Sequence, residues 1–108
     1  MIVKKSTITR SNGNIFADLG LENSQEHYAK ARLAILIGKM IEVQNLTQGQ
    51  AASKIGLRQP DVSKLLRGKL EGFSLERLLN FVRALGSDVE IKIKPRKPKQ
   101  EGRILVTT

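Results

Sequence analysis

Cysteine is absent from the 108 residues. That removes disulfide frameworks and thiolate metal sites, and it suits a reducing cytosol. His27 is the single histidine; with no second imidazole to join it, a surface or capping role is expected rather than metal ligation. Aromatic residues are confined to Phe16, Tyr28, Phe73 and Phe81, too few to stack single-stranded bases. No apolar run reaches transmembrane length, and the opening MIVKKSTITRSNG lacks a signal-peptide core. A cytoplasmic chain with no membrane partner is therefore expected. There is no Gly-rich phosphate loop, no cysteine nucleophile and no paired base for a serine, so no enzyme, cofactor or metal is expected. Acidic residues are scarce too: 10 against 19 Lys and Arg leaves a net charge of +9. Such an excess points to a polyanion (DNA, RNA or an anionic membrane) or to a solubilising surface with a basic tail. The length holds one small domain with tails and a modest core.

What is present centres on residues 48–69, QGQAASKIGLRQPDVSKLLRGK. This stretch reads as two short helices around a tight turn. Counting Gln48 as the first position, Ala52 is fifth, Gly56 ninth, Val62 fifteenth and Leu65 eighteenth. Ala52 allows close helix approach. Gly56 can take the positive φ that a sharp turn needs. Ile55, Leu57, Val62 and Leu65 face inward. Arg58, Gln59, Pro60, Asp61, Ser63, Lys64 and Arg67 are left outward, and all but the proline can hydrogen-bond. That is the composition of a helix reading a major groove.

The flanks supply a scaffold. Residues 1–13 read as a basic arm, and NIFADLGL (14–21) as a short apolar helical turn leading into the domain. Asn23 or Ser24 can cap the next helix, with Glu26 near its start. Along that helix Ala29, Leu33, Leu36, Met40 and Val43 fall at alternating steps of four and three, and Ile37 and Ile41 widen the stripe. Thr47 is an N-cap with Gln50 at N3, the pattern of a capping box. Gln48 lies where a helix start meets phosphate. Pro60 suits a first helical turn. Arg58 departs from the usual Ser, Thr or Asn cap, and its guanidinium can reach a phosphate, a guanine or solvent. Asp61 has two readings: favourable charge at the helix start, or a carboxylate accepting from cytosine. Gly68 marks a left-handed stop, with Arg67 and Lys69 beside the expected phosphate path. Ser74 caps a helix over 75–85 that buries Leu75, Leu78, Leu79, Val82 and Leu85; Phe81 is expected partly outward. DVEIKIK (88–94) alternates with period two, so a strand is expected with Val89, Ile91 and Ile93 on one face. PRKPKQEG (95–102) is a linker, and RILVTT a short apolar tail.

The LTQ, QPDVS–LLRG and SLERLL…LG–DVEI segments resemble the Xre/Cro/C1-type helix-turn-helix domains. Over residues 12–95 the chain is similar to Xre-family antitoxins of HigA type. The resemblance implies a mainly α, lambda-repressor-like bundle of about five helices, with a C-terminal strand paired between two subunits. It divides the chain into an arm and leader (1–22), a DNA-binding domain (23–87), a dimerisation strand (88–95) and a basic tail (96–108). It implies DNA contacts from Gln48, Arg58, Gln59, Asp61, Ser63, Lys64, Arg67 and Lys69, with Gln48 bracing Gln59, and dimer contacts from Phe81, Val89, Ile91 and Ile93. The implied function is a repressor of a palindromic operator that acts as a homodimer and neutralises an mRNA-cleaving toxin of HigB/RelE kind. A stand-alone Xre-type regulator, or an interaction module without DNA binding, are the alternatives.

Overall fold

The computed structural model describes residues 24–108. It contains α1 (Ser24–Val43), α2 (Gln48–Ile55), α3 (Gln59–Leu66) and α4 (Leu75–Ala84). The implied fifth helix would have to come from 14–21, which lies outside the described residues, as do the arm and Asn23. Lys30–Glu90 forms one compact unit. A second unit includes 24–29 and Ile91–Thr108.

Short-range chemistry sets the helix boundaries. α1 ends where Asn45 takes φ 57°, a left-handed conformation asparagine tolerates, and the Leu46 N–H closes onto the Ile41 carbonyl at 3.0 Å. Thr47 then opens α2 with a capping box. The Gln50 N–H donates to Thr47 Oγ1 at 3.0 Å, and the Thr47 N–H donates to Gln50 Oε1 at 2.8 Å. Gly56, at φ 79°, stops α2, and the chain turns into α3 within two residues. Ser74 caps α4 by accepting from the Arg77 N–H at 3.1 Å.

Packing follows the small residues. Ala51 and Ala52 are buried in α2, and α2 lies against both α3 and α4. Ile37, Val62, Leu65 and Leu78 are the largest fully enclosed side chains; burying each contributes about 1.5–3 kcal/mol. Gln44 fastens the turn after α1. Its Nε2 donates to the Leu85 carbonyl at 2.7 Å, while its Oε1 accepts from Lys54 Nζ at 3.2 Å.

The buried stripe of α1 is rotated from the expected one. Ala29, Leu33, Ala34, Ile37 and Ile41 are enclosed, Leu36 and Met40 are half-buried, and Val43 is 79 % exposed. Steps of four run the contact line through Ile37 and Ile41, and Val43 falls off its end.

Gly38 sits inside α1 where a Cβ would meet Leu66 Cδ2 at 3.5 Å, an ordinary contact. An interior helical glycine costs about 0.5–1 kcal/mol relative to alanine. Gly38→Ala is accordingly expected to raise the unfolding free energy by about that amount. The readout is a higher urea midpoint at constant m-value; an unchanged or lower midpoint means α1 and α3 have no room for the methyl.

Two expectations are corrected here. Phe81 does not face outward: it is 6 % exposed, with its ring edge-on to Phe73 at 6.0 Å between centroids. The apolar pair completes the domain's own core, so Phe81 has no surface to offer a second subunit. Residues 88–94 form no strand, and none occurs among the described residues. A strand needs a partner for its backbone groups, and the described residues supply none there. Val89 is half-buried, while Ile91 and Ile93 are 73 % and 69 % exposed.

In the second unit the linker makes local hydrogen bonds. The Gln100 N–H bonds the Lys97 carbonyl at 3.2 Å, and Arg96 donates to Gln100 Oε1 and the Glu101 carbonyl at 3.1 and 3.0 Å. In the tail, the Ile104 N–H donates to Gln25 Oε1 at 3.2 Å.

Candidate nucleic-acid interface

α3 is divided lengthwise by its own sequence. Val62 and Leu65, three residues apart, are fully buried and anchor the helix. Gln59, Pro60 and Lys64 are exposed on the opposite side, with Asp61 and Ser63 half-buried at its margin. Pro60 occupies the first turn, where its missing N–H leaves nothing unsatisfied.

Arg58 holds the N-cap position of α3 and makes no cap bond through its side chain. It turns to Asp61 instead. Nε donates to Oδ2 at 3.0 Å and Nη2 to Oδ1 at 3.3 Å. The pair adds an intramolecular partner to the phosphate, guanine and solvent readings of Arg58, whose side chain remains exposed. The hydrogen bond from Arg58 is the main reason the Asp61 carboxyl is held below its ordinary pKa; desolvation opposes it, and the charges of Arg58, Lys64 and Arg77 add to the lowering. A carboxylate pKa depressed in the folded state stabilises above the unfolded value, and the effect is lost as pH falls through the depressed one. The Asp61 carboxyl is therefore ionised at neutral pH.

The other sequence-selected residues surround this pair. Ser63 Oγ accepts from Arg67 Nη1 at 3.1 Å. Arg67 closes α3, Gly68 follows at φ 79°, and exposed Lys69 comes next. Gln48 and Gly49 start α2, exposed to solvent. Gln59 reaches toward that start: a Cβ on Gly49 would lie 3.7 Å from Gln59 Oε1. The two helix starts are thus neighbours. Val89, Ile91 and Ile93 lie on the chain after α4, apart in sequence from this face.

Arg77 escaped the sequence reading. Its guanidinium lies 5.1 Å from the Phe73 ring centre and 5.6 Å from that of Phe81, and Nη1 donates to the Gly72 carbonyl at 3.0 Å. It is near enough to Asp61 to act on the carboxylate. The signal was available: Phe73, Arg77 and Phe81 are spaced by four, which stacks them on one face of a helix and its cap.

The arrangement is a short helix with a buried apolar edge, an exposed polar edge and cations at both ends. Among the described residues no group of three His, Asp or Glu side chains could hold a metal ion, and no helix is long and apolar enough to cross a membrane.

Comparison with known proteins points the same way. A family profile described as a helix-turn-helix domain matches residues 15–94. A solved structure designated a candidate XRE family transcriptional regulator has 40% sequence identity and a TM-score of 0.74, covering 80% of this chain and 98% of its own. No curated protein matches the chain significantly.

Proposed function

The chain belongs to the XRE-type helix-turn-helix family of DNA-binding transcriptional regulators, and from that premise we propose a sequence-specific, dimeric repressor that is also the antitoxin of a type II toxin–antitoxin pair. The observation that carries the repressor reading is the exposed edge of α3, with Gln59 and Lys64 outward while Val62 and Leu65 hold the helix to its scaffold.

A helix of this build enters the major groove with its N-terminal residues against base edges. Gln59 carries the paired donor and acceptor that match adenine N6 and N7. The start of α2, at Gln48 and Gly49, offers N–H groups and a positive helix end to a phosphate. Lys64, Arg67 and Lys69 supply charge for the backbone, which fixes register without reading sequence.

The dimer reading rests on residues 88–94. Their alternating pattern and the exposure of Ile91 and Ile93 leave a backbone edge and an apolar stripe uncovered in one chain. Pairing with the same segment of a second copy covers both. It would set two α3 helices against half-sites about 34 Å apart on a palindrome. Ile91→Asp is expected to give monomers in sedimentation at concentrations where the unaltered chain is dimeric. Intact dimers in that variant would place the interface elsewhere.

The antitoxin reading rests on the similarity of residues 12–95 to HigA-type chains, with an mRNA-cleaving toxin of HigB/RelE kind as partner. Co-expression with the product of the neighbouring reading frame tests it. The two should co-purify, and the chain should restore growth. Growth inhibition without rescue, or no interaction, leaves a stand-alone regulator.

A further inference from the structure

The geometry points to Arg58 and Asp61 acting as one unit that reads a guanine, with Asp61 as the positioning residue and Arg58 as the reader. This rests on the DNA-binding reading above and deepens it by assigning a base to one position of the site.

The argument begins with which guanidinium edge is used. Asp61 takes Nε and Nη2 through its two oxygens, at 3.0 and 3.3 Å. That is the side edge of the fork. The end edge, formed by Nη1 and the second hydrogen of Nη2, has no partner among the described residues, and the Arg58 side chain is 77 % exposed against 24 % for Asp61. Two parallel N–H groups on a planar edge match guanine O6 and N7, the most common specific contact in the major groove. Arg58 also stands at the N-cap of α3, the end of such a helix that meets base edges.

Position and charge favour a base over a phosphate. An exposed ion pair of this kind adds little to fold stability. Its effect lies elsewhere: it holds a long, rotamer-rich side chain in one place before binding, so less freedom is lost on contact. It also cancels one positive charge at the helix start, which lowers attraction to any phosphate regardless of sequence. A residue used only for backbone affinity gains nothing from such neutralisation. One used for discrimination gains on both counts.

The test uses the full chain and a pool of randomised duplex DNA, selected and sequenced at fixed salt. The unaltered chain should enrich a motif containing a guanine preferred by roughly 5- to 150-fold over other bases. In Arg58→Ala that preference should collapse at one position per half-site, the rest of the motif persisting. In Asp61→Asn the same position should lose its preference. Affinity for unselected duplex should meanwhile rise, and the salt slope should steepen by about 0.9 for each newly contacted phosphate. A purely structural role for Asp61 would move neither the base profile at one position nor the slope. Circular dichroism of both variants confirms retained helices.

An intact guanine preference in Arg58→Ala overturns the proposal. Loss in Arg58→Ala but not in Asp61→Asn overturns the positioning role of Asp61. No enriched motif with the unaltered chain overturns the sequence-specific reading itself, and this proposal with it.

Discussion

Raising salt from 50 to 200 mM is expected to weaken binding of the proposed dimer to its duplex about 10³-fold. The estimate follows from counting cations at the interface. Lys64, Arg67 and Lys69 lie on the exposed side or at the end of α3, so two protomers offer roughly six phosphate contacts. Each neutralised phosphate releases counterions and contributes about −0.9 to the slope of log K against log salt. The net charge of +9 supports the same sign at long range. Fluorescence anisotropy across a salt series measures the slope. Lys69→Ala should make it shallower by about 1.8 in the dimer, weakening all sequences alike. Gln59→Ala should instead lower operator affinity by roughly 1–3 kcal/mol per half-site with the slope unchanged, because a carboxamide releases no counterions. The contrast matters more than either value. Charge alone predicts the first result for any basic protein, whereas only base contact predicts the second. A slope near zero removes phosphate contact from this face. An unchanged operator affinity in Gln59→Ala removes base reading by that residue.

The elements legible in the sequence were those decided over three or four residues. The Thr47–Gln50 box and the Gly56 and Gly68 stops depend on φ preference and on one side chain reaching its own helix start, so neighbours in sequence settle them. The division of α3 into buried Val62 and Leu65 and exposed Gln59 and Lys64 came from helical spacing. Orientation between elements was less accessible. Val43 matched the periodic stripe of α1 but extends past the contact line, because periodicity gives a face and not the length of what covers it. Phe81 lies outside the apolar stripe read along α4 alone; Phe73, eight residues before it and on the same face, covers its ring. The Arg58–Asp61 pair has the three-residue spacing that lets charges meet; treating each residue as a separate contact to DNA concealed it. Residues 88–94 carry a strand pattern whose partner is not among the described residues, so alternation alone could not show whether the strand forms in one copy.

Leu65→Ala is expected to cost about 2–5 kcal/mol of stability, a large share of the roughly 5–15 kcal/mol of a small domain. Leu65 is fully buried on the inner edge of α3, and its loss opens a cavity between that helix and the scaffold. The consequence reaches the polar edge. α3 is only 8 residues long and has no side-chain cap bond at its start, and an isolated helix of that length is not stable in water. Its presentation of Gln59 and Lys64 thus depends on Val62 and Leu65 rather than on helix propensity. Urea unfolding by circular dichroism should show a midpoint shift at unchanged m-value if the domain remains two-state. Duplex binding should fall together with the folded fraction, with little change in base preference among molecules still folded. Gln59→Ala provides the opposite profile, with stability retained and preference lost. Should Leu65→Ala leave stability within about 0.5 kcal/mol, α3 would not be held by this edge, and the rigid presentation of its polar side would have no physical basis.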